Sequence, residues 1–432
     1  MARIAVLTPD VLSDQMAGPA IRAFHIAAEL SATHDVMLIS TAQCTITQPA
    51  FECCYVPWSK LRDTVADAQV VVLQGYVSYR APWLIRSDKI LVVDLYDPLH
   101  LEQLEQLADR APLERQALLD LTIRVLNEQL VRGDFFLCAS EEQRHLWLGH
   151  LGALGRLNPL TYAADSSLRS LIDICPFGLD AVPAVRTRPA IKGVVPGITA
   201  EDKVILWAGG VYNWFDPLTL VRAVAGLRGT HPDLRLYFLG MKHPNPEVPA
   251  MQVAWQTREL ADELGLTGTT VFFNEGWADY GDRQNYLLDA DVGVSTHFDH
   301  LETQFSFRTR ILDYLWAGLP IVATGGDTFG ALIEDEGLGK TVPERNVAAL
   351  ANALETMLYD AAAAASARAN AERVRQRFTW AQVLSPLVAF SADPRRAADA
   401  HADLRRIVGR AVMPAHPLAR LWVRGTLLLR QG

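Results

Sequence analysis

Arg308, Arg310 and Asp313 fall within six residues of one another, just after Glu302 and before a Gly318-Leu319-Pro320 stop. The pattern predicts a helix that carries all three in its first turns, and a strand over residues 321–324. A helix N-terminus offers unpaired backbone N–H groups and the positive end of a dipole, so it attracts anions. Two arginines there add forked donors matched to phosphate oxygens. Asp313 lies at i+3 from Arg310, on roughly the same face, and can accept from sugar hydroxyls. Such a tip suits a nucleotide diphosphate joined to a sugar. The competing reading is a surface helix whose Arg310–Asp313 pair contributes little.

The elements that must position this tip come from an alternation of short apolar runs and amphipathic stretches, the signature of parallel α/β domains. Strands are expected over residues 3–8, 35–40, 70–73, 90–94 and 135–139, with a short one near Ile174, and helices over 19–31 and 113–132. Residues 181–202 hold Pro183, Pro189, Pro196, Gly193 and Gly197, an inter-domain linker pattern. A second series follows, with strands over 203–208, 234–239, 271–273, 292–295 and 321–323. Its helices are expected over 217–227, 255–264, 347–358 and 361–377. The chain of 432 residues is long for one core. We expect a domain over 1–182, a second over 203–380, and a further segment with a basic tail over 381–432.

Bulk properties narrow the function. A net charge of -9 argues against general nucleic-acid binding. The five cysteines show no ligand spacing and read as free thiols of a reducing compartment. No signal peptide or run of about 18 apolar residues stands out, which gives the expectation of a cytoplasmic protein. From Asp393 onward, eight arginines against three aspartates give +8 − 3 = +5. Apolar residues from Leu418 to Leu429 interleave with them, a pattern for peripheral contact with the inner face of a membrane or for packing on the acidic body.

In order along the chain, several segments resemble the retaining family-4 glycosyltransferases of GT-B architecture. The most specific is Asp313-Tyr-Leu-Trp-Ala-Gly-Leu-Pro-Ile-Val-Ala-Thr324. Supporting matches are Gly133-Asp-Phe-Phe-Leu-Cys-Ala-Ser-Glu141, Pro176-Phe-Gly-Leu-Asp180, Ile205-Leu-Trp-Ala-Gly-Gly210, Val271-Phe-Phe-Asn-Glu-Gly276 and Leu287-Leu-Asp-Ala-Asp-Val-Gly-Val-Ser295. The resemblance implies two facing Rossmann-like domains, the first for the acceptor and the second for the donor, with a C-terminal helix crossing back to the first. It places Asp313 at the ribose hydroxyls, and Ser306, Phe307, Arg308 and Thr309 on the turn that meets the distal phosphate. Gly276 and Trp277 fall at the nucleobase edge, and Gly18 and Gly209 on loops facing the diphosphate. Three departures stand out. A basic pair expected after Gly209-Gly210 is absent, and Arg308 with Arg310 are expected to replace its charge. Phe305 occupies the first glutamate position, which leaves Glu302 as the nearest carboxylate, and Tyr96 stands where histidine is usual.

Transfer of a sugar from a nucleotide diphosphate builds negative charge on the leaving phosphate, so preorganised donors are the main catalytic need. Asp97 is the candidate general base or orienting group for the acceptor hydroxyl, against a turn-capping role. His100 and His297 carry less weight. Asp289-Ala-Asp291 reads as structural, and Glu336-Gly-Leu-Gly-Lys-Thr341 as a surface loop, while Gly325-Gly326-Asp327 is a candidate for approaching the donor. Trp214, Trp277 and Trp316 are candidate stacking surfaces, and residues 76–83 and 96–104 candidate acceptor walls. The expectation is therefore a metal-independent retaining glycosyltransferase. Its only co-substrate is a nucleotide-diphosphate sugar, and its acceptor is a glycan, lipid-linked or small-molecule hydroxyl. A nucleotide-sugar epimerase on the same fold and a non-catalytic nucleotide-sugar-binding subunit remain open alternatives.

Overall fold

The computed structural model describes residues 1–108, 110–243 and 251–400. Its first sheet holds β1 (Arg3–Thr8), β2 (Asp35–Ser40), β3 (Glu52–Tyr55), β4 (Val70–Gln74), β5 (Ile90–Asp94), β6 (Phe135–Cys138) and β7 (Ile172–Ile174). They lie in the order 3-2-1-4-5-6-7, and every pairing is parallel. The second sheet holds β8 (Lys203–Gly210), β9 (Leu234–Gly240), β10 (Val271–Phe273), β11 (Val292–Ser295), β12 (Ile321–Thr324) and β13 (Gly339–Val342). Its order is 10-9-8-11-12-13, again all parallel. Central strands such as Val-Val-Val-Leu-Gln of β4 and Ile-Leu-Val-Val-Asp of β5 are buried along their whole length. Helices on both faces of each sheet account for such uninterrupted apolar runs.

Two edge strands escape a pattern search because they are short and half polar. β3 is one. The other, β13, occupies part of the segment expected to be a surface loop, and pairs with β12 from Ile321↔Gly339 to Thr324↔Val342. Gly339 is needed there, since a Cβ would overlap the Ile321 carbonyl. The alanine-rich helix ends at Val374 and continues as a 3₁₀ turn, Arg375–Phe378, rather than running to residue 377. Asp289 and Asp291 are structural, as expected. The Asp289 carboxylate accepts from the Ala190 and Ile191 amides at 2.7 Å each, and Asp291 takes Lys192 and the Val204 amide at 2.8 Å. They pin the segment between the sheets.

The chain then crosses back. Trp380–Val383 and Ser385–Ala392 pack against the helix Gly18–Ser31 of the first half. His25 stacks on Trp380 at 4.3 Å, and Phe390 on Phe135 at 4.4 Å. Arg396 pairs with Asp134, and Asp399 with the buried Arg156. At least residues 396–399 therefore lie on the body. The rest of the basic tail, residues 401–432, lies outside the described residues. All five cysteines are free. Among the described residues no helix is long and apolar enough to cross a membrane.

Candidate active site

The C-terminal ends of the two sheets border one cavity of about 330 Å³. In doubly wound sheets loops leave the carboxyl ends of the strands and leave a crevice there for ligands. From the first half come Met16, Gly18 and the Tyr96-Asp97 turn after β5; from the second come Gly209–Phe215 after β8 and the stretch Ser306–Arg310. Asp97, Glu302, Gly18, Gly209, Trp277, Ser306, Phe307, Arg308, Thr309, Arg310 and Asp313 all line it. Of the residues anticipated, Gly276 does not. It is exposed on the outer side of its turn, and the bulky Trp277 ring occupies the inner side, against Gly240. Gly325 and Gly326 also stay outside the lining, with Asp327 capping the next helix through the Gly330 amide at 2.6 Å.

The helix carrying the tip is Arg310–Ala317, shorter than expected at its front. Thr309 is its N-cap without a side-chain cap, and Arg308 lies one residue earlier, outside the helix. Gly318, at φ 67°, ends it in the left-handed conformation that glycine tolerates best. Neither arginine is a free donor. Arg308 is buried, its Nη1 and Nη2 donating to the two Glu302 oxygens at 3.2 and 2.8 Å. Arg310 donates from Nη2 to the Gly210 carbonyl at 2.7 Å, with its guanidinium 4.0 Å from the Phe215 ring centroid and 4.4 Å from that of Trp207. Burial pushes its pKa down to about 10. Among the described residues Arg308 Nε and Arg310 Nη1 find no partner. The helix is held to its sheet by Tyr314, whose hydroxyl lies within 3.0 Å of the Ala208 amide and the Leu206 and Val294 carbonyls.

Asp313 is likewise engaged. It accepts from Arg283 Nε at 3.2 Å, while Arg283 Nη2 donates to Asp180 at 2.9 Å. Arg283, which sequence reasoning missed, packs against the rings of Tyr280 and Trp316 at 3.7 and 4.3 Å. Its position after an irregular turn gives no local signal. The Asp313 side chain keeps 37% of its surface accessible, enough to meet a ligand. Burial raises its carboxyl, and Arg283 opposes that. Trp316 donates to the Val182 carbonyl at 2.7 Å and is structural. Trp214 lines the cavity, stacked on Tyr212 at 4.9 Å.

Across the gap, Asp97 pairs with no cation among the described residues. Burial, reinforced by Asp94, pushes its carboxyl up to about 7. Glu102, also missed, is raised further by burial and then by Asp97 and Glu302. Tyr96, in the place of the usual histidine, presses its hydroxyl against Gly18, where a Cβ would come within 3.1 Å. His100 and His297 do not line the cavity. Burial holds both uncharged, helped by Arg308 at His297. Of the two acceptor-wall segments, residues 96–104 contribute Tyr96, Asp97, Pro98 and Glu102. Within 76–83, Tyr76 bonds Thr122 and Trp83 lies at a separate surface pocket instead.

Direct bonds join the halves around the cavity. Trp277 Nε1 donates to the Met16 carbonyl at 3.1 Å, and the Tyr280 amide to that of Asp14 at 2.7 Å. Gln143 donates to both the Tyr96 and Phe305 carbonyls at 2.7 Å. Among the described residues no group of three or more His, Cys, Asp or Glu is placed to hold a metal ion.

Comparison with known proteins agrees with this architecture. Residues 202–360 match the family model described as glycosyl transferases group 1. A D-inositol 3-phosphate glycosyltransferase of Saccharomonospora viridis is 25% identical over 276 residues, 61% of either chain, so the match spans about three fifths of that curated relative. Among solved structures, the sucrose-phosphate synthase of Thermosynechococcus elongatus superposes with a TM-score of 0.65 at 17% identity, covering 91% of this chain and 98% of that one. HepE of Anabaena, solved with UDP-glucose, gives 0.64 at 15% identity over 91% of this chain and 100% of its own. The resemblance read from the sequence is borne out: the chain has the GT-B fold, and its residues 202–360 match the glycosyl transferases group 1.

Proposed function

We propose that the protein transfers a sugar from a nucleotide-diphosphate donor to a hydroxyl acceptor with retention of configuration, in the cleft between its two halves. The observation that carries this reading is the pair of buried arginines, Arg308 and Arg310, at the wall of a cavity whose opposite wall bears Asp97. One edge of the nucleobase enters the slot of about 80 Å³ between Trp277, Gly240 and Asp313, and the ribose continues into the main cavity that this slot adjoins. The diphosphate then lies across Gly209 toward Ser306–Arg310. Gly209, at φ 83° with open space where a Cβ would project, lets backbone approach the ligand closely. The unpartnered N–H groups of Arg308 and Arg310 face charge that grows as the bond from the anomeric carbon to phosphate oxygen breaks.

The new bond forms from the acceptor oxygen to the anomeric carbon on the same face. The departing phosphate oxygen takes the acceptor proton, and ionised Asp97 orients that hydroxyl. A cleft closed by both halves keeps water from the donor. No metal enters this scheme. The test is incubation of the purified protein with UDP-, GDP- and dTDP-sugars. Melting shifts with the diphosphates, slow nucleotide release, and a product of unchanged anomeric configuration by NMR are expected. An inverted product removes retention; an isomerised free nucleotide sugar makes it an epimerase; binding without turnover makes it a sensor.

A further inference from the structure

A second, smaller cavity of about 90 Å³ lies at the C-terminal ends of β4 and β5, alongside the main one, with Tyr96, Asp97 and Pro19 common to both. Its polar lining consists of two carboxylates, two amides and a phenol: Asp94, Asp97, Gln74, Gln129 and Tyr96. Among the described residues no lysine, arginine or histidine lines it. Arg22, a cation that acts on Asp97, is buried, and four of its five N–H groups are engaged. It donates to both Asp94 oxygens at 2.7 and 2.8 Å and to the Cys175 and Pro176 carbonyls.

Gln74 carries the argument further. It is 5% exposed, and its Nε2 donates to Asp94 at 3.0 Å. That bond fixes which way the amide points, because a carboxylate accepts only from the nitrogen end. Among the described residues its Oε1 is left buried without a partner. A buried acceptor without a donor is costly, so such an atom marks where a ligand's O–H belongs. An anion would find the reverse: unpaired carboxylate charge on the shared wall and, among the described residues of the lining, no cation to compensate its desolvation.

We propose that this pocket is the acceptor subsite, and that it takes the hydroxyl-bearing end of a non-phosphorylated polyol, a sugar or cyclitol, with its reacting hydroxyl at Asp97. This rests on the transferase reading above. The volume admits a few heavy atoms, so it holds one edge of a ring and not a whole oligosaccharide.

Saturation-transfer NMR on the full chain with UDP tests it. The probes are methyl α-glucoside and myo-inositol, each set against a phosphate monoester of itself. The neutral probes should give signals, with their monoesters roughly tenfold weaker. Those signals should fall in Gln74→Leu, and in Leu99→Trp, which fills the pocket without touching the Asp94 network. Monoesters that bind as well as the neutral probes, or neutral probes that are silent or insensitive to both variants, overturn the proposal. Neutral signals that persist while UDP gives no melting shift leave this subsite standing and sink the donor assignment instead.

Discussion

Arg308 and Glu302 form a bidentate pair that is at least 95% buried on both sides. Removing one partner of such a pair strands a buried charge and costs about 3–5 kcal/mol, whereas replacing both is close to neutral. Arg308→Ala should therefore melt early, while Arg308→Met with Glu302→Gln should recover stability. Donor KM should stay raised by roughly tenfold or more in the double variant, as expected when a charged hydrogen-bond donor is lost. A normal KM there would make the pair purely structural. Asp97 gives a pH signature of its own. Its folded carboxyl titrates at about 7, against about 3.9 unfolded. Because folding disfavours its ionised form, stability falls as pH rises from about 4 to about 7. Asp97→Asn should match the parent at pH 4 and melt higher at pH 8, a comparison that calorimetry makes directly. Transfer by the parent should rise over the same upper window, with an acidic limb near pH 7 in kcat/KM that the variant lacks.

At the scale of elements, the helix Arg310–Ala317 is seated on its sheet by Tyr314 lying over Gly293 of β11. A Cβ at Gly293 would overlap that ring. Gly293→Ala should therefore push the helix outward at a cost of about 1–3 kcal/mol, the usual range for overpacking. Since Arg310 and Asp313 ride on the helix, the melting shift given by a nucleoside diphosphate should shrink as well. An undiminished shift would mean that the tip is positioned by something other than this seat. The strands were legible in sequence because buried parallel strands are continuous apolar runs, as in β1, β4 and β5. The edges β3 and β13 were not, since their register is set by a neighbouring strand and by one glycine contact.

For the whole molecule, the cleft depends on the chain crossing back. Trp380 stacks on His25, packs on Phe177 at 4.7 Å and closes over Gly178, where a Cβ would collide with it. Trp380→Ala should cost about 3–5 kcal/mol, as for other large buried aromatics. It should also broaden or split the calorimetric unfolding transition as the two halves lose coupling. A single sharp transition at the parent's temperature would show that the loop contacts Trp277–Met16 and Tyr280–Asp14 suffice.

By itself the sequence determined the two αβ series and the segment between them, because apolar period and helix punctuation are local properties, while most of the cleft residues followed from the family resemblance of its motifs. The tertiary structure alone decided how those residues are engaged. Arg308 on Glu302, Arg310 on Gly210, Asp313 on Arg283 and the unpartnered Gln74 oxygen join positions that are mostly far apart in the chain. Such pairings are fixed by how loops and helices pack at the ends of the strands, and side-chain charge in a cleft depends on its neighbours in space rather than in sequence.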